Sequence, residues 1–112
     1  MKISYVMGFV LLLTLTGCDN TAKFDGTSQE SLHNSAQKVN EQLSAERQEH
    51  LRLAISDIIS YYETKALVDN DSSYSSDKVC LHILDGKTAD QVISEARIYR
   101  GKKVKLLLQY QQ

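Results

Sequence analysis

Residues 44–66 read SAERQEHLRLAISDIISYYETKA, and this stretch decides the fold. Leu51, Ala54, Ile55, Ile58, Ile59 and Tyr62 recur at three- and four-residue steps, which places them on one face of an α-helix. Ser44 can accept a hydrogen bond from a free amide of the first turn, and Glu46 complements the positive end of the helix dipole. The spacing predicts a helix to about Ala66. It is the longest and most apolar of the chain, and forms the centre of the core. The Tyr61-Tyr62 pair reads as the edge of that core.

Upstream, Thr27-Ser28-Gln29-Glu30 has the form of a capping box, in which a hydroxyl and a later carboxylate satisfy amides at a helix start. Leu32, Ala36, Val39 and Leu43 then follow at steps of four, three and four. Gln29, Lys38, Asn40 and Glu41 fall on the solvated side. Downstream, Asp69–Asp77 (DNDSSYSSD) has no apolar period and reads as a loop. Its acids lack the central Gly and closing Glu of a calcium loop. Lys78–Leu84 fits a strand by its alternation of Val79, Leu81 and Ile83, and a short helix by Val79, Ile83 and Leu84. The helical neighbours and a C-capping Gly86 favour the helix. Thr88-Ala89-Asp90-Gln91 is a second capping box, followed by Val92, Ile93, Ala96 and Tyr99 facing inward. Gly101 is a candidate end of that helix. Val104–Tyr110 fits continuation of the helix, or a strand with Val104, Leu106, Leu108 and Tyr110 on one side, with helix preferred.

The whole is therefore read as all-α, a small bundle of three to four amphipathic helices in residues 27–112. No Pro or Trp occurs, and the formal net charge of −1 gives no footprint for nucleic-acid binding. Charge is unevenly distributed. Residues 18–96 hold 7 basic and 14 acidic side chains, whereas Arg97, Arg100, Lys102, Lys103 and Lys105 follow with no acid among them. An acidic body thus carries a basic tail, and these five cations are candidate contacts to a membrane surface.

The first residues read as an address. Lys2 precedes a mostly apolar run, Ile3–Leu15, whose helical length of about 20 Å falls short of the roughly 30 Å hydrocarbon core. A short apolar run behind a cation, ending in small residues, is a secretory signal. Leu15-Thr16-Gly17-Cys18 resembles the lipobox of bacterial lipoprotein precursors. The resemblance implies cleavage after residue 17, with a diacylglycerol and an N-acyl chain on Cys18; no cofactor is expected besides these. Several acyl chains hold a protein on a bilayer stably, where one alone is marginal. Asp19 and Asn20 resemble the sorting pair that keeps such proteins in the inner membrane, on its periplasmic face; the outer membrane is the alternative. Residues 18–26 are expected to form a short lipidated tether.

Phe24-Asp25-Gly26-Thr27-Ser28, a helix with an Ile58-Ile59 pair, and Asp85-Gly86-Lys87-Thr88-Ala89-Asp90-Gln91-Val92-Ile93 together resemble an uncharacterised family. Its members are small bacterial lipoproteins with an all-helical domain of unknown function. The likeness covers residues 24–99. It implies an all-α periplasmic domain, and carries over no functional residue. The loop at 69–77 and the Leu106-Leu107-Leu108 ending depart from the family's pattern.

No arrangement of residues demands catalysis. Gly86-Lys87-Thr88 lacks the Gly that a phosphate loop needs five positions earlier, where Leu81 stands; Lys87 reads as a solvated turn residue. His33, His50 and His82 lie on separate segments, and Cys80 with His82 supplies two ligands, too few for a closed zinc site. With Cys18 acylated, Cys80 has no partner within the chain and is expected to be buried. The expectation is a membrane-anchored, non-catalytic interaction or structural module, bound to another envelope protein or to itself, with no catalytic or metal residue. The alternative is a small periplasmic thiol-dependent or ligand- or metal-binding protein.

Overall fold

The computed structural model describes residues 20–111. Among them are four helices and no strand: α1 (Gln29–Glu41), α2 (Ala45–Val68), α3 (Ser76–Leu84) and α4 (Ala89–Tyr110). All four start on a hydroxyl. Ser28, Ser44, Ser75 and Thr88 each accept from the backbone amide three residues on, and each helix carries an acid in its first turn. These hydroxyls satisfy amides that a helix start leaves without partners, and the acids complement the positive end of the helix dipole. The capping box at Thr88 forms in full, with Gln91 Oε1 accepting from the Thr88 amide at 2.9 Å.

The first capping box does not form as read. The cap is Ser28, one residue later than Thr27, and accepts from the Ser31 amide at 3.0 Å. Thr27 instead donates from both its amide and its hydroxyl to Asp25 Oδ1. Those two bonds favour the ionised carboxyl and hold Asp25 below the usual carboxylate range.

The central helix α2 runs slightly past Ala66 to Val68 and stops on Asp69-Asn70. Asn70 takes the left-handed conformation (φ 53°), its amide reaches Leu67 O, and the Asp71 amide reaches Ala66 O at 2.8 Å. Both bonds satisfy carbonyls left open at the helix end. Lys78–Leu84 is helical, as its neighbours favoured.

Helices α2 and α4 are the main packed pair, and they run in the same direction. Arg47 pairs with Asp90, Asp57 with Arg100 at 2.5 Å, and Ser60 with Lys103 at 2.7 Å. Each pair is separated by 43 residues, so equal steps along one helix match equal steps along the other. Parallel neighbours need a return path, which the 69–75 loop and α3 supply. The buried core comprises Leu51, Ala54 and Ile58 of α2 and Ala89, Val92 and Ala96 of α4. Val39, Ile83, Leu84 and Phe24 complete it.

Gly101 does not end α4; the helix continues to Tyr110. A mid-helix Gly costs about 1 kcal/mol relative to Ala. Here the contacts of Arg100 and Lys103 with α2 fix the helix on both sides of it.

Of the stretch expected as a tether, 18–26, the described residues 20–26 lie against the body. From Asn20 onward the chain is tied to the body: Gln42 donates to Asn20 O at 2.9 Å and accepts from the Ala22 amide at 2.7 Å. Phe24 is buried, at 3% exposure. An aromatic ring gains too much by leaving water to remain in a free tether.

Candidate interaction face

The folded N-terminal segment meets the α3–α4 turn. The Phe24 amide donates to Lys87 O at 2.9 Å, and the Gly86 amide donates to Phe24 O at 2.8 Å. Gly26 N–H reaches Asp85 Oδ1 at 2.9 Å. Gly86 has φ 76°, and the Lys87 amide closes the turn onto Leu84 O at 3.0 Å, which makes a left-handed residue necessary at that position. Phe24–Gly26 and Asp85–Lys87, which open two of the three stretches that carried the resemblance, are therefore one physical clasp. Lys87 is half-buried and bonded to Glu95 Oε1 at 2.7 Å, not the solvated turn residue of the sequence reading.

The five cations of the tail divide into two groups. Arg100 and Lys103 join α4 to α2 through Asp57 and Ser60. Lys102 lies 4.9 Å from the centre of the Tyr99 ring, a cation–π distance. Tyr99 belongs to a cluster with Tyr61 and Tyr62, whose ring centres lie 5.1–5.6 Å apart. The Tyr62 and Tyr99 hydroxyls are 3.2 Å apart, and burial together with this bond pushes the Tyr62 phenol up to about 12.

Arg97 and Lys105 are exposed and make no ion pair or hydrogen bond among the described residues. They share the outward face of α4 with Ile98, Gly101, Val104 and Leu108, at steps of one, three, three, one and three. Ile98 is 59% exposed, Val104 57% and Leu108 57%. Leu107 and Tyr110, on the last turns of α4, and Leu67, near the end of α2, also stand in solvent. The sequence reading found the cations but missed the apolar residues interleaved with them. Gly101 was a candidate stop, while the helix preferred for Val104–Tyr110 is borne out as a continuation of α4, and that continuity brings all six positions to one face.

Other candidates do not converge. Cys18 and Asp19 lie outside the described residues, and Asn20 is exposed. Cys80 is half-buried against the core, not fully enclosed, and burial with nearby Asp77 pushes its thiol up. Such a shift lowers the thiolate fraction on which nucleophilic chemistry depends. His82 stands two residues on along α3 and is exposed. No group of three His, Cys, Asp or Glu side chains suited to a metal occurs among the described residues. In the 69–77 loop, Asp69 holds Lys65 at 2.7 Å and Asp71 accepts from the Ser73 amide and hydroxyl. A groove between the end of α2 and the start of α3 is lined by Tyr62, Lys65, Asp69, Tyr74 and Lys78. Tyr74 Oη is buried without a hydrogen-bond partner. No described helix is long and apolar enough to cross a membrane.

A match to the family DUF6694, a family of unknown function, spans residues 4–101. The chain belongs to that family. The match includes the clasp and both its partner stretches, and stops at Gly101, ahead of the last turns of α4. No curated protein matches the chain. No solved structure matches it.

Proposed function

We propose that this member of DUF6694 is a lipid-anchored protein of the bacterial envelope, acting as a non-catalytic interaction or structural module. Residues 1–17 are the lipoprotein leader, Cys18 carries the diacylglycerol and N-acyl chain, and Asp19 with Asn20 retains the protein at the periplasmic face of the inner membrane. The observation that carries the anchor is Leu15-Thr16-Gly17-Cys18, an aliphatic residue and two small residues ahead of a Cys, at the end of a short apolar run behind Lys2. The interaction role draws its support from the exposed apolar side chains of α2, Leu53 and Leu67. A partner is another envelope protein or a second copy of the chain.

The test is in-cell crosslinking of the full-length protein with mass spectrometry of both adducts and N-terminus, beside a Cys18→Ala control. The expected N-terminal peptide begins at Cys18 and carries acyl chains, and a crosslinked neighbour depends on that lipidation. An unmodified Cys18 overturns the anchor, and a clean monomer without neighbours overturns the interaction role.

A further inference from the structure

We infer that the outward face of α4, formed by Arg97, Ile98, Gly101, Val104, Lys105 and Leu108, docks on an anionic lipid surface. The inference deepens the proposed function and rests on its lipid anchor. Three observations lead to it.

The first is chemical. Residues 96–112 hold five cations and no acid. Three of the cations are occupied, by Asp57, Ser60 and the Tyr99 ring, while Arg97 and Lys105 remain outward beside exposed Ile98, Val104 and Leu108. Cations flanking an apolar stripe suit the interface of a bilayer, where apolar side chains enter the boundary of the acyl region and long basic side chains reach the headgroups. Gly101 lies within that stripe, and a Cβ built there has nothing within 4 Å, so the helix backbone is open to close approach.

The second is geometric. The Phe24 amide bonds Lys87, immediately ahead of the α4 cap Thr88. From Cys18 to Phe24 an extended chain spans about 20 Å at most, so the start of α4 is held close to the anchored residue. α4 then extends about 33 Å, at 1.5 Å per residue. Tethering makes the membrane the partner at highest effective concentration, so modest contacts suffice for docking. A soluble acidic protein has no such advantage.

The third is exclusion of the simplest self-contact. Two copies packed through this face would bring Arg97 and Lys105 of one against Arg97 and Lys105 of the other, and like charges at an interface disfavour association.

The experiment uses the full-length lipidated protein reconstituted into vesicles. An environment-sensitive fluorophore is attached at Gln109→Cys in a Cys80→Ser background, with a matching label at Glu30→Cys on α1. Vesicles are phosphatidylcholine alone or mixed with phosphatidylglycerol, and brominated lipid serves as quencher. Quenching is expected at position 109 on the mixed vesicles, with little on phosphatidylcholine and none at position 30. Arg97→Gln with Lys105→Gln should lower the docked-to-undocked ratio about fivefold per cation, roughly thirtyfold together. Circular dichroism of that variant should be unchanged, since neither side chain holds the fold.

Retention on vesicles at high salt scores the anchor separately, because salt screens cations and leaves acyl chains inserted. Retention without quenching overturns the docking face and leaves the anchor standing. Quenching that vanishes with retention at high salt overturns the anchor and leaves the docking face. Quenching indifferent to lipid charge overturns the proposal, as does quenching unchanged by the Arg97→Gln and Lys105→Gln pair.

Discussion

Replacing Gly26 by Ala tests the clasp at its tightest point. A Cβ on residue 26 would lie 2.1 Å from the carbonyl oxygen of Leu81 and 2.7 Å from Asp85 Cβ. The first obstacle is helix backbone, which cannot swing aside as a flexible side chain can. The N-terminal segment would have to lift by about 1 Å or more to reach ordinary van der Waals contact. Lifting it strains the bond from Gly26 N–H to Asp85 and the pair of bonds between Phe24 and Gly86-Lys87, and draws the buried Phe24 ring outward. Overpacking costs about 1–3 kcal/mol, and a hydrogen bond to a charged group about 1.5–3 kcal/mol. A loss of roughly 3–5 kcal/mol follows. For a domain of this size each kcal/mol moves the melting temperature by about 4–8 °C, so the midpoint should fall by at least roughly 12 °C. Circular dichroism at the helix band, in thermal and urea unfolding, reads it directly. Gly101→Ala is the internal control: helical, with nothing within 4 Å, it should stabilise by about 0.5–1 kcal/mol. A Gly26→Ala protein melting within a degree or two of the parent would refute the clasp.

Three further outcomes are expected. Gly86→Ala meets no neighbour but must hold φ 76°, so urea unfolding should show a loss of about 1–2 kcal/mol from backbone strain alone. Ser28→Ala should cost about 0.5–2 kcal/mol in the same assay and Thr27→Ala less, since Ser28 is the cap; the reverse order would restore the sequence reading. Ultraviolet titration should find one tyrosine ionising near 12. Because Tyr62 is raised in the folded state, its contribution to stability is fully present below about 10 and is lost as the pH rises towards 12. Tyr62→Phe should abolish that part of the alkaline loss.

The helices were legible because their signals are local. Hydroxyl caps with acids behind them, and apolar residues at three- and four-residue steps, survive in any context, and α2 and the Thr88 capping box follow them closely. The misreadings came where a distant residue decides. Gly101 looks like a stop until Asp57 and Ser60, on another helix, are seen to hold its neighbours. Phe24 looks like part of a tether until the α3–α4 turn supplies hydrogen bonds for its backbone and a core for its ring. Lys87 looks solvated until α4 places Glu95 beside it. The outward face of α4 was half visible: its cations stood out by composition, while Ile98, Val104 and Leu108 join them only when the helix is known to be continuous.

The parallel register of α2 and α4 also orders events in time. α1 and α2 are joined by the short turn at residues 42–44, so their contacts close quickly. Setting α4 against α2 closes a separation of 43 residues, and the entropy of that closure must be met before the Arg47, Asp57 and Ser60 contacts form. The cost of that closure is expected to place the seam at the slow step, so that Asp57→Asn slows folding as well as speeding unfolding; folding and unfolding rates measured across a urea series read the division directly, and an unchanged folding rate would refute it.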